Sequence, residues 1–370
     1  MWRRGEAHQI LRLQENLRSR GHKVEVSTEY TPALDGYDLV HLFNLNRPTE
    51  GLTRALHAKK QGLPLVFSPV HFDTREYDEK GRYGLARLAY QICRDRNRVE
   101  RIKDWAFVAR DPRSWRHYLK VWHLSPEDQR RQLIGLVDGF VTIAEMEMEA
   151  LKRDYGARGP HRAAHYGVGE LFFRASPKDF IDRHGLSNFV ICAGLISSLK
   201  NQLRLIEALR DSGITLVLVG HKVWMHRAYY RQVRCAVLRG NPRILLFPAV
   251  SQEELASMFA ASKVVVLPTW SETCGLACLE GAAAGANVVI TNRGYTGEYF
   301  RDFAWYCDPS DVRSIRTAVL SAYEAPRRTE FAGYIRRHYT WGRAAESTLD
   351  LYEEVLRTSV ARKRIGMPAR

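Results

Sequence analysis

The segment PTWSETCGLACLEGAAAGANVVIT (268–291) sets two carboxylates, Glu272 and Glu280, on either side of a turn into a small-residue stretch. Pro268 closes a β-branched run, Glu272, Thr273, Cys274 and Gly275 form a loop, and a helix is predicted from about Leu276 to Ala284. A strand, a turn and a helix amino terminus offer free backbone N–H groups and a positive dipole end, which suits an anion. Glu280 lies eight residues beyond Glu272, up to about 12 Å along a helix axis. That exceeds the ~5 Å between the nucleophile and acid of a retaining glycosidase, and it fits a grip on two parts of one elongated ligand. On spacing alone, a helix N-terminal charge plus a surface glutamate explains the pair equally well.

A second segment, VICAGLISSLKNQLRLIEAL (190–209), has the same order of strand, loop and helix, with Gly194 at the strand end and Lys200 at the helix mouth. A lysine there can meet phosphate as a point charge. The alternative is a solvated lysine, which the helix dipole mildly disfavours. His71 follows the run LPLVFSPV (63–70), where a histidine serves either structure or chemistry. No Asp-x-Asp occurs, so a metal clamp has no visible ligands. The cysteines at 93, 192, 235, 274, 278 and 307 form no Cys-x-x-Cys pair and read as reduced residues, not as a metal site.

These residues need elements to position them, and short β-branched runs alternate with helical patterns along the whole chain, the pattern of parallel α/β sheets. KVEVST (23–28), DLVHLF (38–43), LPLVFSPV (63–70), GFVTIA (139–144) and RAAHYGV (162–168) read as strands of a first domain. FVICAGL (189–195), TLVLVG (215–220), RILLFPAV (243–250), KVVVLPT (263–269), NVVIT (287–291) and AWYCDP (304–309) read as strands of a second, joined near 169–188. Ligands in doubly wound sheets bind outside the carboxyl ends of the strands, where Lys200, Glu272 and His71 fall. The first domain has no apolar strand before its first helix, which runs from near Ala7 to Gly21. A missing central strand leaves ladder edges unpaired.

The second half resembles the carboxy-terminal domain of family 4 glycosyltransferases. The resemblance rests on Glu272-x7-Glu280, on Lys200 with Asn201 and Gln202, on Val219-Gly220, on FPAVSQEELASMFAASKVVVLPT (247–269), and on a closing helix TWGRAAESTLDLYEEVL (340–356). It covers nearly all of 189–356. It implies a GT-B fold, two Rossmann-like doubly wound α/β domains facing across a cleft. Residues 1–168 would bind the acceptor, 169–345 the nucleotide sugar, and 346–370 would be a closing helix and basic tail. Glu280 would hold the ribose, Glu272 the transferred sugar, and Lys200 the diphosphate, with backbone N–H groups around Cys274, Gly275 and Leu276 meeting sugar or diphosphate. The resemblance further implies retention of configuration, with no metal or other cofactor.

One position departs from the family. Leu195 stands where an arginine usually follows the glycine, with Arg4, His221 and Lys222 as candidate substitutes. The first domain is less similar. RRGEAHQILRLQENLRSRGHKVEV (3–26) keeps only Gly5 of the family's glycine pair, His71 falls where the family often places a histidine near the reacting sugar carbon, and HYGVGELFF (165–173) resembles the turn into the second domain.

With 370 residues, 45% of them apolar and 26% charged, the chain is globular in composition, and no run approaches the ~20 apolar residues of a membrane span. The opening MWRRGEAHQI has no apolar core of a secretory signal, so the expectation is cytoplasmic, peripheral at the inner membrane face. Net charge is +15, and residues 82–131 carry +7 of it, with 13 basic and 6 acidic residues interleaved with Tyr83, Tyr90, Trp105, Phe107, Trp115, Tyr118 and Trp122. That stretch reads as an anionic membrane surface patch, a nucleic-acid patch, or a solvated helical face with aromatics turned to the core. The expected partners are a nucleotide-sugar donor and a glycan or lipid-linked acceptor in polysaccharide assembly. A nucleic-acid module would leave Glu272, Glu280 and Lys200 without a purpose. A nucleotide-sugar 2-epimerase and a degenerate homologue that binds nucleotide or polyanion are the other readings.

Overall fold

A computed structural model describes residues 5–364 apart from positions 85, 86, 88, 89, 91–95, 109–114, 224, 225 and 240–242. The chain divides into two compact units, one of Met1–His71, Cys93–Gly167 and Trp341–Arg370, the other of Phe72–Ile92 and Val168–Thr340. No helix among the described residues is long and apolar enough to cross a membrane.

The first unit holds four parallel strands in the order β1 (Val40–Phe43), β2 (Leu65–Ser68), β3 (Gly139–Thr142) and β4 (His161–Ala163). β2 and β3 are buried along their whole length, whereas β1, at the sheet edge, is half-buried. The strand expected at KVEVST (23–28) does not form. Instead of joining a ladder, the Val24 carbonyl accepts hydrogen bonds from the side chains of Gln14 and Arg18, on the helix Gly5–Arg18 that precedes it. Val24 itself packs beside Leu13, Leu17 and Ala345. The long helix Trp341–Arg364 closes this unit, with Leu351 and Val355 against Val66, Val141 and Ala164.

The second unit is a six-stranded parallel sheet in the order β10-β9-β8-β5-β6-β7. Its strands are β5 (Val190–Ala193), β6 (Leu216–Val219), β7 (Ile244–Phe247), β8 (Val264–Leu267), β9 (Asn287–Thr291) and β10 (Ala304–Cys307). β5, β6, β8 and β9 are buried on both faces, which is why they read as unbroken apolar runs. Each such Val, Leu or Ile contributes about 1.5–3 kcal/mol by leaving water. The strand order reverses between β5 and β8, so the loops after these two strands diverge and open a crevice at their carboxyl ends. Two glycines permit the turn there. A Cβ on Gly220 would lie 1.6 Å from the Gly194 carbonyl oxygen, and Gly194 itself has φ +144°.

Candidate active site

Lys200 and Glu272 emerge from the two sides of that crevice. Lys200 ends the short helix Ser198–Lys200 after β5, and Glu272 lies on the loop after β8. The lysine Nζ meets Glu272 Oε2 at 2.6 Å. The other carboxylate oxygen accepts the Thr273 N–H at 3.2 Å, and Thr269 Oγ1 stands 3.5 Å from Oε2. Burial pulls the Lys200 pKa down, but the facing carboxylate outweighs it and the net shift is upward, so this ammonium keeps its proton.

Asn201 fixes where Lys200 points. It takes the left-handed conformation, φ +63°, and its side-chain amide donates to the carbonyls of Pro268 at 3.0 Å and Pro309 at 2.9 Å. Loops after β5, β8 and β10 are thereby tied together. Gln202 adds a bond to the Leu195 carbonyl at 3.0 Å.

The helix Leu276–Ala283 begins at Gly275, whose φ is +63°. Its first N–H groups, Leu276 among them, have no carbonyl one turn earlier within the helix. Cys274 is buried, and burial pushes its thiol up to about 12, so it is a neutral thiol and not a nucleophile. Glu280, further along this helix, is 9% exposed and its carboxyl has no hydrogen-bond or ion-pair partner among the described residues. Burial raises its pKa to about 8. An unpartnered buried carboxyl is costly, and it is the kind of group a ligand's hydroxyls would satisfy.

The structure therefore places Lys200, Glu272, Glu280, Cys274, Gly275, Leu276 and Gly194 in the second unit, and joins Lys200 to Glu272 directly. Gly5 and His71 belong to the first unit. Gly5 opens the helix Gly5–Arg18. His71 receives the Glu147 carboxylate on its backbone N–H at 2.6 Å, sets its ring Nε2 3.3 Å from Asp154, and meets Tyr155 edge-on. Of the candidate substitutes for the absent arginine at 195, Arg4 lies outside the described residues. His221 uses its backbone carbonyl to accept the Ile196 N–H, and Lys222 lies against the Tyr230 ring.

Sequence reasoning missed a set of residues around this crevice. Glu76 pairs with Arg293 at 2.6 Å, Arg293 reaches Asp308 at 3.1 Å, and the Tyr77 hydroxyl meets Ser198 Oγ at 2.8 Å. Glu76 and Arg293 are 217 positions apart, and no local pattern marks either of them. The basic aromatic stretch 82–131 is also more mixed than any single reading of it. Tyr118 is buried and Arg130 is a buried partner of Glu100, yet Trp105 and Trp115 are 49% and 42% exposed.

The family described as glycosyl transferases group 1 matches residues 178–338, the span that carries the crevice. Among the chain's relatives, a D-inositol 3-phosphate glycosyltransferase of Nocardioides sp. is 26% identical across 93% of this chain and 83% of its own length. Two Streptomyces proteins of the same name are covered over 59% and 55% of their length. Sucrose-phosphate synthase from Thermosynechococcus elongatus has a TM-score of 0.62 at 15% identity, covering 98% of this chain and 93% of its own. HepE from Anabaena, solved in complex with UDP, has a TM-score of 0.56 at 15% identity, covering 90% and 80%. These likenesses establish the GT-B fold, two parallel-sheet α/β domains, for this chain.

Proposed function

We propose that the chain transfers a sugar from a nucleotide diphosphate sugar to a glycan or lipid-linked acceptor, with retention of configuration and without a metal ion. The observation that carries the reading is the Lys200–Glu272 pair at the strand-order reversal, 2.6 Å apart, beside the unpartnered Glu280. A similar fold solved with UDP supports the class of donor.

In this reading Glu280 takes the ribose hydroxyls, which relieves its solitary burial. Glu272 exchanges Lys200 for hydroxyls of the sugar. Lys200, freed from the carboxylate, turns to the diphosphate together with the N–H groups at Gly275 and Leu276. As the bond from the anomeric carbon to the phosphate oxygen breaks, negative charge grows on the diphosphate, and a fixed ammonium and helix terminus stabilise it without reorganising. The acceptor hydroxyl attacks from the face the diphosphate leaves and gives its proton to a departing phosphate oxygen. No side chain need act as nucleophile, consistent with the neutral thiol of Cys274. Trp105 and Trp115, with neighbouring basic residues, would rest on an anionic membrane where a lipid-linked acceptor is held, in polysaccharide assembly on the cytoplasmic side.

The test is titration calorimetry of the chain against UDP, GDP, ADP and dTDP in chelator, followed by transfer from the sugar of the preferred nucleotide and an NMR reading of the new anomeric centre. One nucleotide should bind, and Glu280→Ala should abolish that binding. A folded chain that binds none of the four would refute the proposal.

A further inference from the structure

Residues Phe72–Ile92 follow β2 and His71 in sequence but group with the second unit. From Thr74 to Arg82 they wind through a π-helical turn, Tyr77–Gly81, a form that is rare and concentrated at functional sites. The turn is braced from within. Asp78 accepts from Thr74 Oγ1 at 3.1 Å and from Arg82 Nε at 2.8 Å, and the Arg82 guanidinium lies 3.8 Å from the centre of the Tyr90 ring.

What this braced turn touches is the crevice. Tyr77 hydrogen-bonds Ser198 on the loop that carries Lys200. Gly81 sits so close to Trp270, two residues before Glu272, that a Cβ there would lie 2.6 Å from the indole Nε1. Glu76 holds Arg293 on the loop after β9, through Nε at 2.6 Å and Nη2 at 3.3 Å. The residue after Arg293, Gly294, forms a parallel bridge with Glu272. The turn therefore spans the loops after β5, β8 and β9, the edge where the strand order reverses.

Arg293 is the one side chain of this set with more counter-charge than it needs. Glu76 and Asp308 both face it, and it is 30% exposed. Such a pair is screened by water and easily exchanged, whereas a diphosphate offers a guanidinium two oxygens in matching geometry. Resting on the donor reading above, we propose that Thr74–Arg82 is a latch across the ligand edge of the second unit, and that a nucleoside diphosphate takes Arg293 from Glu76 as it binds.

The experiment is calorimetric titration of wild type, Glu76→Gln, Arg293→Ala and Glu280→Ala with UDP, GDP, ADP and dTDP, and with the phosphate-free nucleoside of whichever binds. Removing the competing carboxylate in Glu76→Gln should tighten the diphosphate about two- to fivefold and leave the nucleoside unchanged. Arg293→Ala should weaken the diphosphate about tenfold or more. Hydrogen exchange on the wild-type chain supplies a readout that needs no variant: amides of residues 74–82 should exchange faster when the nucleotide is bound. An unchanged or weakened affinity in Glu76→Gln, an Arg293→Ala protein that binds as wild type does, or unaltered or slower exchange would each overturn the latch. Binding that Glu280→Ala abolishes but both latch variants leave alone refutes this proposal while keeping the donor site. A wild-type chain that binds none of the four nucleotides refutes the donor site itself.

Discussion

Replacing Glu280 by glutamine removes a carboxyl that burial holds neutral up to about pH 8 and leaves a side chain of the same shape. The unfolded carboxyl ionises near its ordinary 4.5. Below that pH it is neutral in both states and imposes no charge penalty. Between 4.5 and 8 the unfolded chain releases the proton while the fold retains it, so folding is opposed by about 1.36 kcal/mol for every pH unit in that window. The full penalty, reached by pH 8, has an upper bound of about 5 kcal/mol, and water entry and relaxation around the carboxyl reduce it to about 2–4 kcal/mol. Glutamine has no such slope. Urea unfolding of both proteins at pH 5, 6, 7 and 8 should therefore give curves that diverge as pH rises, with the variant gaining about 2–4 kcal/mol on wild type by pH 8. Nucleotide affinity should move the opposite way, because two ribose hydroxyls donating to Glu280 favour its ionised form, which accepts from both as the amide cannot. Parallel stability curves would refute the premise that Glu280 is a solitary buried acid.

Lys200→Met strips Glu272 of its cation, and because the lysine is 23% exposed the expected loss is about 1–3 kcal/mol in a chemical melt, together with at least about a hundredfold drop in transfer rate. Gly220→Ala forces a methyl to within 1.6 Å of the Gly194 oxygen; a destabilisation of about 3 kcal/mol or more should appear in calorimetry, and an unchanged melting temperature would contradict the packing argument. Trp105→Ser with Trp115→Ser should cut co-sedimentation with phosphatidylglycerol vesicles severalfold while leaving nucleotide affinity as it is; equal sedimentation would remove the membrane surface from the reading.

The four inner strands of the second unit were legible because they are buried on both faces, and residues 190–193 or 264–267 read as unbroken apolar runs. Lys200 and Glu272 were legible as helix-mouth residues, although their pairing, across 72 positions, was not. KVEVST misled because alternation of Val24 and Val26 with polar residues satisfies the strand pattern, while a strand also needs a neighbour to complete its ladder. Nothing in Phe72–Ile92 marks it as grouping with the second unit. Its attachments include the Glu76–Arg293 pair, the Tyr77–Ser198 hydrogen bond and the packing of Gly81 on Trp270, and these depend on where distant loops come to rest, which periodicity does not encode.

Asn201 has a consequence for how the crevice behaves as a whole. One amide nitrogen serves both Pro268 and Pro309, so three loops from widely separated parts of the chain share a single rivet. A displacement at any one of them is felt by the other two. Substrate preference in such a site is not assembled loop by loop: exchanging the loop after β10 for another would re-aim Lys200 as well, and variants selected at one end of the ligand would carry rate effects at the other. Asn201→Asp, which removes the donating group with little change of shape, would uncouple the three and turn one rigid rim into separately moving parts.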